Sequence, residues 1–130
     1  MHNSKYSLTV EKAAKKFGRQ LLFKNISFSL NTGDSFYITG PNGSGKSTLL
    51  QITAGIQRAS AGSVTLALGN DVIPADERLL HCGFTGPAVN PYDMLTAAEN
   101  ICFASRDADP ERAGEMLRMF DLYRHREKYV

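Results

Sequence analysis

The chain has 130 residues, 42% hydrophobic and 22% charged, which is the composition of a globular domain rather than of a disordered segment. Fifteen basic and 13 acidic side chains leave a net charge of +2, too even a balance to argue for nucleic acid or an anionic membrane surface as partner. No apolar run approaches the ~18 residues needed to cross a bilayer, and the opening MHNSKYSLTVEKAAKKFG lacks the apolar stretch of a signal peptide, so a cytosolic chain is expected.

Read in chain order, residues 4–10 (SKYSLTV) alternate apolar and polar as a half-buried strand does. Phe17-Gly18 predicts a turn, and residues 21–30 a second strand with Ile26, Phe28 and Leu30 on one face. Asn31-Thr32-Gly33-Asp34 is a turn cluster, after which residues 35–39 (SFYIT) predict a buried strand running straight into Gly40. A helix is expected over 46–54, with Leu49, Ile52 and Ile56 at helical spacing and Gly55 as its C-cap. Strands follow at 63–68 and 79–85.

From Pro91 the pattern turns helical. Thr96-Ala97-Ala98-Glu99 reads as a capping box opening one helix. Asp109-Pro110-Glu111 gives another helix its cap, its first-turn proline and an acid. The stripe of that helix, Ala113, Met116, Leu117, Phe120 and Tyr123, is expected to pack in a core or an interface. Cys82 and Cys102 lie in the apolar stretches LLHCGF and NICFAS without metal-ligand or C-x-x-C spacing, so buried, reduced thiols are expected.

Gly40-Pro41-Asn42-Gly43-Ser44-Gly45-Lys46-Ser47 matches G-x-x-x-x-G-K-[ST], the phosphate-binding loop. A polyphosphate must be held by many donors at once. Glycines let the backbone close around it, successive N–H groups point inward, and the following helix adds partial positive charge at its N-terminus. In this pattern Lys46 reaches the β- and γ-phosphates, and the Ser47 hydroxyl is placed to ligate Mg2+. The motif alone does not choose among kinases, GTPases and transport ATPases. No N-K-x-D guanine reader occurs, and two strand-like segments precede the one feeding the loop, whereas small P-loop kinases place the loop after their first strand.

The stretch LTVEKAAKKFGRQLLFKNISFSLNTGDSFYITGPNGSGKSTLLQITAGIQRASAGSVTL closely resembles the opening of an ATP-binding cassette (ABC) ATPase. LFKNISFSL, TGDSFYITGPNGSGKSTLL and AGIQRASAGSV fall in that family's order, and MLTAAENI is similar to the stretch that opens its helical subdomain. The resemblance implies an α/β P-loop NTPase of the ABC-cassette type. Its N-terminal antiparallel β part and P-loop core would occupy residues 1–91, and the start of the helical subdomain 92–130. It implies ATP and Mg2+ as cofactors, with phosphate-binding roles on Gly40, Pro41, Asn42, Gly43, Ser44, Gly45, Lys46, Ser47 and Thr48. Lys46 is the implied catalytic residue and Ser47 the metal ligand. Phe17, just before Gly18, sits where the family places an aromatic ring that stacks on adenine.

The chain also departs from the family. A glutamine is expected between the phosphate loop and the helical subdomain, but Gln20, Gln51 and Gln57 all come too early. Its place is taken by Thr85-Gly86-Pro87-Ala88-Val89-Asn90, where Asn90 offers a shorter amide; the nearby His81 is expected to be a packed or surface side chain. No LSGGQ-like segment occurs, no apolar strand ends in Asp-Glu, and there is no later switch histidine. DVIPADE has the acids, yet Pro74 and Asp71 spoil it as a buried strand. A truncated cassette is therefore expected, with weak ATP binding, negligible hydrolysis by these residues alone, and an unpaired sheet edge prone to aggregation.

The function implied by the resemblance is that of the ATP-binding subunit of an ABC transporter, coupling ATP binding and hydrolysis to transport across a membrane. Its partners would be a transmembrane permease subunit, met by residues 81–104, and a second cassette arranged head to tail, with no nucleic acid. The location would be cytoplasmic, at the inner face of the cell membrane through the partner. A non-transport ABC ATPase and a small non-catalytic nucleotide-binding module stay open as alternatives.

Overall fold

In the computed structural model, residues 5–86, 90–105 and 109–129 are described. Two compact units divide the chain, residues 1–84 and 85–130.

The first unit is built on an antiparallel sheet. Strand β1 (Tyr6–Phe17) pairs with β2 (Gln20–Asn31) across a tight turn in which Gly18 takes a left-handed φ of 57°. On its other edge β1 pairs with β3 (Ala61–Leu68), which carries the three-residue strand β4 (Asp71–Ile73), giving the order β2-β1-β3-β4. Ile26, Phe28 and Leu30 do share the more buried face of β2, alternating with exposed Ser27 and Ser29. β4 is short for the reason visible in its sequence: Pro74 has no N–H to continue a ladder.

The sheet is kinked at one level. Lys12 has φ 48°, and β1 carries an extra residue between the pairs Val10↔Phe28 and Ala13↔Ile26. The displaced Lys12 N–H donates to Ser27 Oγ at 2.8 Å. Because of the bulge, Val10 and Ala13, an odd spacing apart, both turn inward at 1% and 0% exposure. β3 crosses this point at Gly62, φ 82°, where a Cβ would collide with the Glu11 carbonyl oxygen and the Lys12 backbone.

Helix α1 (Lys46–Ala54) ends as its sequence suggests, with Gly55 left-handed at φ 86°. The Gly55 and Ile56 N–H groups fold back onto the Ile52 and Gln51 carbonyls. Leu49 and Ile52 are buried, but Ile56, beyond the cap, no longer follows the helical period and is exposed. Arg78, buried at 6% exposure, opens a 3-10 helix (Arg78–His81) and joins α1 to β3. Its guanidinium donates to Ile52 O (3.3 Å) at the end of α1 and to Val64 O (2.7 Å) in β3.

Two expected strands do not form. Residues 35–39 have no ladder, and 79–85 fall in the 3-10 helix and the unpaired chain that follows it. A strand exists only where a neighbour accepts its hydrogen bonds, and among the described residues nothing pairs with either segment. Phe36 instead stacks on Phe28 with ring centroids 4.3 Å apart. The cysteines are half-buried rather than buried; burial pushes the Cys82 thiol up, and the positive charge of Arg78 partly offsets this.

The second unit holds α2 (Ala97–Ala104) and α3 (Pro110–Met119). Thr96 and Glu99 form the expected capping box, and Asp109 caps α3 through Arg112 N–H with Pro110 in its first turn. The remaining first-turn donors of α2 are taken by the following chain: Ala97 N–H donates to Lys128 O and Ala98 N–H to Arg126 O. Asn100 stitches the preceding loop, accepting from Tyr92 N–H and donating to the Tyr92, Leu95 and Thr96 carbonyls. The α3 stripe is only half used. Ala113 and Leu117 are buried, whereas Phe120 is 70% exposed and Met116 39%. Among the described residues no helix is long and apolar enough to cross a membrane.

Candidate functional site

Between β2 and α1 the backbone turns through Gly40, Gly43 and Gly45, with φ values of 150°, 81° and 95°. Gly45 is the residue that requires glycine most. It is the N-cap of α1, left-handed, and a Cβ there would lie 2.8 Å from Leu22 Cγ and 2.9 Å from Phe23 Cδ1. The loop can reach β2 this closely only without a side chain at that position.

The first hydrogen bond of α1 runs from Leu49 N–H to Gly45 O at 2.8 Å. The N–H groups of Lys46, Ser47 and Thr48 therefore face out of the helix end with no partner inside it. No Ser, Thr, Asn or Asp side chain caps this terminus; α1 is the only one of the three helices described whose N-cap offers no such bond. A cleft of about 300 Å3 opens here, lined by Asn42, Gly43, Gly45, Lys46, Ser47 and Thr48. Its lining has one cation and no carboxylate, so open N–H groups, helix dipole and ammonium all favour an anion.

Lys46 does not extend into solvent. Its Nζ donates to the carbonyl oxygens of Gly40 and Pro41, both at 2.9 Å, spanning the loop. Ser47 is exposed at the lip of the cleft. Among the described residues no three His, Cys, Asp or Glu side chains gather as a metal cage. The side-chain oxygens lining the cleft are the Ser47 and Thr48 hydroxyls and the Asn42 amide oxygen, a set that suits a hard ion such as Mg2+ that keeps most of its waters and arrives with phosphate oxygens.

Of the residues singled out in the sequence, the structure thus brings Asn42, Gly43, Gly45, Lys46, Ser47 and Thr48 to one cleft, with Gly40 and Pro41 bonded to Lys46 and Ser44 N–H turned to Pro41 O. Phe17 is not in the cleft lining. It ends β1, paired with Gln20, in the hairpin whose second strand presses Leu22 and Phe23 against Gly45. Its ring is 54% exposed, with Lys15 Nζ 5.0 Å from the ring centroid. Lys15 carries no motif, so sequence inspection passes over it. His81 is a surface side chain whose Nδ1 lies 3.2 Å from the Tyr6 hydroxyl. Asn90 is exposed and lies in the second unit, and Pro87, Ala88 and Val89 fall outside the described residues.

Comparison with known proteins identifies the family of the chain. The family described as ABC transporter matches residues 23–130. The cytochrome c biogenesis ATP-binding export protein CcmA of Brucella abortus is 38% identical over 96 residues, covering 74% of this chain and 43% of CcmA. The spermidine/putrescine import ATP-binding protein PotA of Protochlamydia amoebophila is 37% identical over 103 residues, 78% of this chain and 27% of PotA. The chain thus spans less than half the length of these relatives. In three dimensions it is similar to the ATP-binding cassette MJ0796, solved as a dimer in a post-hydrolysis state bound to ADP and Pi. The TM-score is 0.71 at 27% identity, over 94% of this chain and 61% of that one. Family match, relatives and shared cassette fold agree, and the chain belongs to the ABC transporter family.

Proposed function

We propose that this chain is part of the ATP-binding subunit of a transporter and couples ATP binding and hydrolysis to transport across a membrane. The observation that carries the reading is the loop of residues 40–48, with open N–H groups at the start of α1 and the Lys46 ammonium beside them. In this reading the backbone N–H groups of the loop cradle the β- and γ-phosphates, and Lys46 leaves its two carbonyl partners to meet the γ-phosphate. Ser47 would hold a Mg2+ ion, which would supply positive charge to neutralise the phosphates. Phe17 would carry the adenine ring by stacking.

The same reading gives the complete subunit a permease and a second cassette as partners. It places the subunit at the cytoplasmic face of a membrane. The support is the named relatives, ATP-binding proteins of export and import systems, and the dimeric MJ0796 structure. Since these relatives act on different cargo in both directions, the proposal is for the class and names no cargo.

Calorimetric titration of the protein with MgATP tests the reading. Saturable binding is expected, weakened about ten- to hundredfold by Lys46→Ala, the range for losing a charge-assisted contact. Equal affinity in the two proteins would remove the site assignment.

A further inference from the structure

Phe17 has a structural problem if it is a base platform. A ring that is 54% exposed at the tip of a hairpin has little packing to hold it in one rotamer. Stacking on it would then carry the entropy of freezing the ring. The structure offers a different restraint.

Lys15 and Phe17 are two residues apart in β1, so their side chains leave the strand on the same side. Lys15 Nζ lies over the Phe17 ring at 5.0 Å from its centroid, within range for a cation–π contact. The ammonium is not a drifting surface charge. It donates to the Arg58 carbonyl oxygen at 2.8 Å, and Lys15 is half-buried. The segment that supplies this carbonyl is itself sewn to β1: Ser60 N–H donates to Ala14 O (2.8 Å), and Lys16 N–H donates to Ser60 Oγ (3.1 Å). That segment follows directly on the C-cap of α1, the helix that begins at the phosphate loop. The chain therefore closes a circuit from the loop through α1 to Arg58, and back through Lys15 to the ring.

We propose that Lys15 is a positioning residue for Phe17, anchored on the Arg58 carbonyl and capping one face of the ring so that the other is offered to a purine base. The proposal rests on the reading of Phe17 as the base platform. The ammonium draws electron density to the face it covers, leaving the opposite face poorer and better matched to an electron-rich purine. It also spares the ligand the ordering of the ring. Neither effect reaches a triphosphate that has no base, and this separates positioning from simple attraction of anions by a lysine.

The experiment compares MgATP with inorganic tripolyphosphate, titrated calorimetrically at one ionic strength into the wild-type protein and into Lys15→Met, Lys15→Arg and Phe17→Ala. Lys15→Met keeps the stem and removes the charge. It is expected to weaken MgATP about three- to tenfold while changing tripolyphosphate less than about twofold. Lys15→Arg, which keeps a cation over the ring, is expected to return MgATP to within about twofold of wild type. Equal loss of both ligands in Lys15→Met would make the lysine a general phosphate attractor and overturn the proposal. Phe17→Ala separates the two readings. If it weakens MgATP alone while Lys15→Met changes nothing, the platform stands and the positioning role falls. If Phe17→Ala does not distinguish the ligands, the platform itself falls, and the role of Lys15 with it.

Discussion

Gly45 and Leu22 are held so close that one added carbon would not fit between them: a Cβ on Gly45 would sit 2.8 Å from Leu22 Cγ. Gly43, two residues earlier in the same loop and also left-handed, has nothing within 4 Å of that position. The two glycines therefore separate backbone strain from crowding. Gly43→Ala adds strain alone and is expected to lower stability by about 1–2 kcal/mol. Gly45→Ala adds the collision and is expected to cost about 2–4 kcal/mol, and also to displace the start of α1 and abolish ATP binding. Urea midpoints for the two variants check the order, and equal losses would show that Leu22 and Phe23 move aside freely.

Arg78 holds α1 to β3 through carbonyls 26 and 14 positions away in the chain. Removing the guanidinium takes a donor from both carbonyls, though Ile52 O keeps the Gly55 N–H, and leaves a gap behind them. Arg78→Ala is expected to destabilise the first unit by about 2–4 kcal/mol. Arg78→Lys, whose single ammonium lacks the planar fork, is expected to recover less than half of that. Full stability in Arg78→Lys, by thermal or urea unfolding, would show that one contact suffices.

The cap of α2 carries a pH signature. Hydrogen bonds from Thr96, the backbone N–H first and the hydroxyl second, hold the Glu99 carboxyl below its ordinary value. A carboxylate with a depressed pKa stabilises the fold above its unfolded pKa, and that contribution fades as pH falls through the folded one. The second unit is therefore expected to lose stability below the ordinary carboxylate range, near pH 4 and lower. Thr96→Ala should lower stability by about 1 kcal/mol at neutral pH and return Glu99 only part of the way toward its ordinary titration, because the backbone N–H stays. An NMR titration of the Glu99 side chain reads this directly; an unmoved midpoint in the variant would show that the hydroxyl contributes nothing and the backbone N–H holds the carboxyl alone.

What could be read from the sequence is what short-range rules decide. The caps at Gly55, Thr96 and Asp109 and the loop before Lys46 depend on residues within three or four positions, and they form as the patterns indicate. Residues 35–39 and 79–85 have the composition of strands, but a strand needs a partner, and composition does not supply one. The bulge at Lys12 is equally hidden. Nothing about a lysine announces φ 48°, which is fixed by β3 crossing at Gly62 and by Ser27 taking the displaced N–H. The contact between Lys15 and the Arg58 carbonyl, 43 positions apart, belongs to the same class. Long-range partners decide these features, and one sequence does not list its partners.

Helix α3 shows the same division within a single stripe. Leu117 and Phe120 are three positions apart and look equivalent as apolar residues, yet Leu117 is 3% exposed and Phe120 70%. Leu117→Ala should therefore leave a cavity and destabilise the second unit by about 2–5 kcal/mol. Phe120→Ser removes a ring that is mostly in water and should change stability by less than about 0.5 kcal/mol. It should change solution behaviour instead. Met116 and Met119 in the last turn of α3 and Phe120 at its C-cap are all exposed, apolar side chains of the kind that drive association. Light scattering of the purified chain at rising concentration should show self-association that Phe120→Ser reduces and Leu117→Ala does not. If Phe120→Ser unfolds the unit while Leu117→Ala is tolerated, the burial of this helix is the reverse of that described.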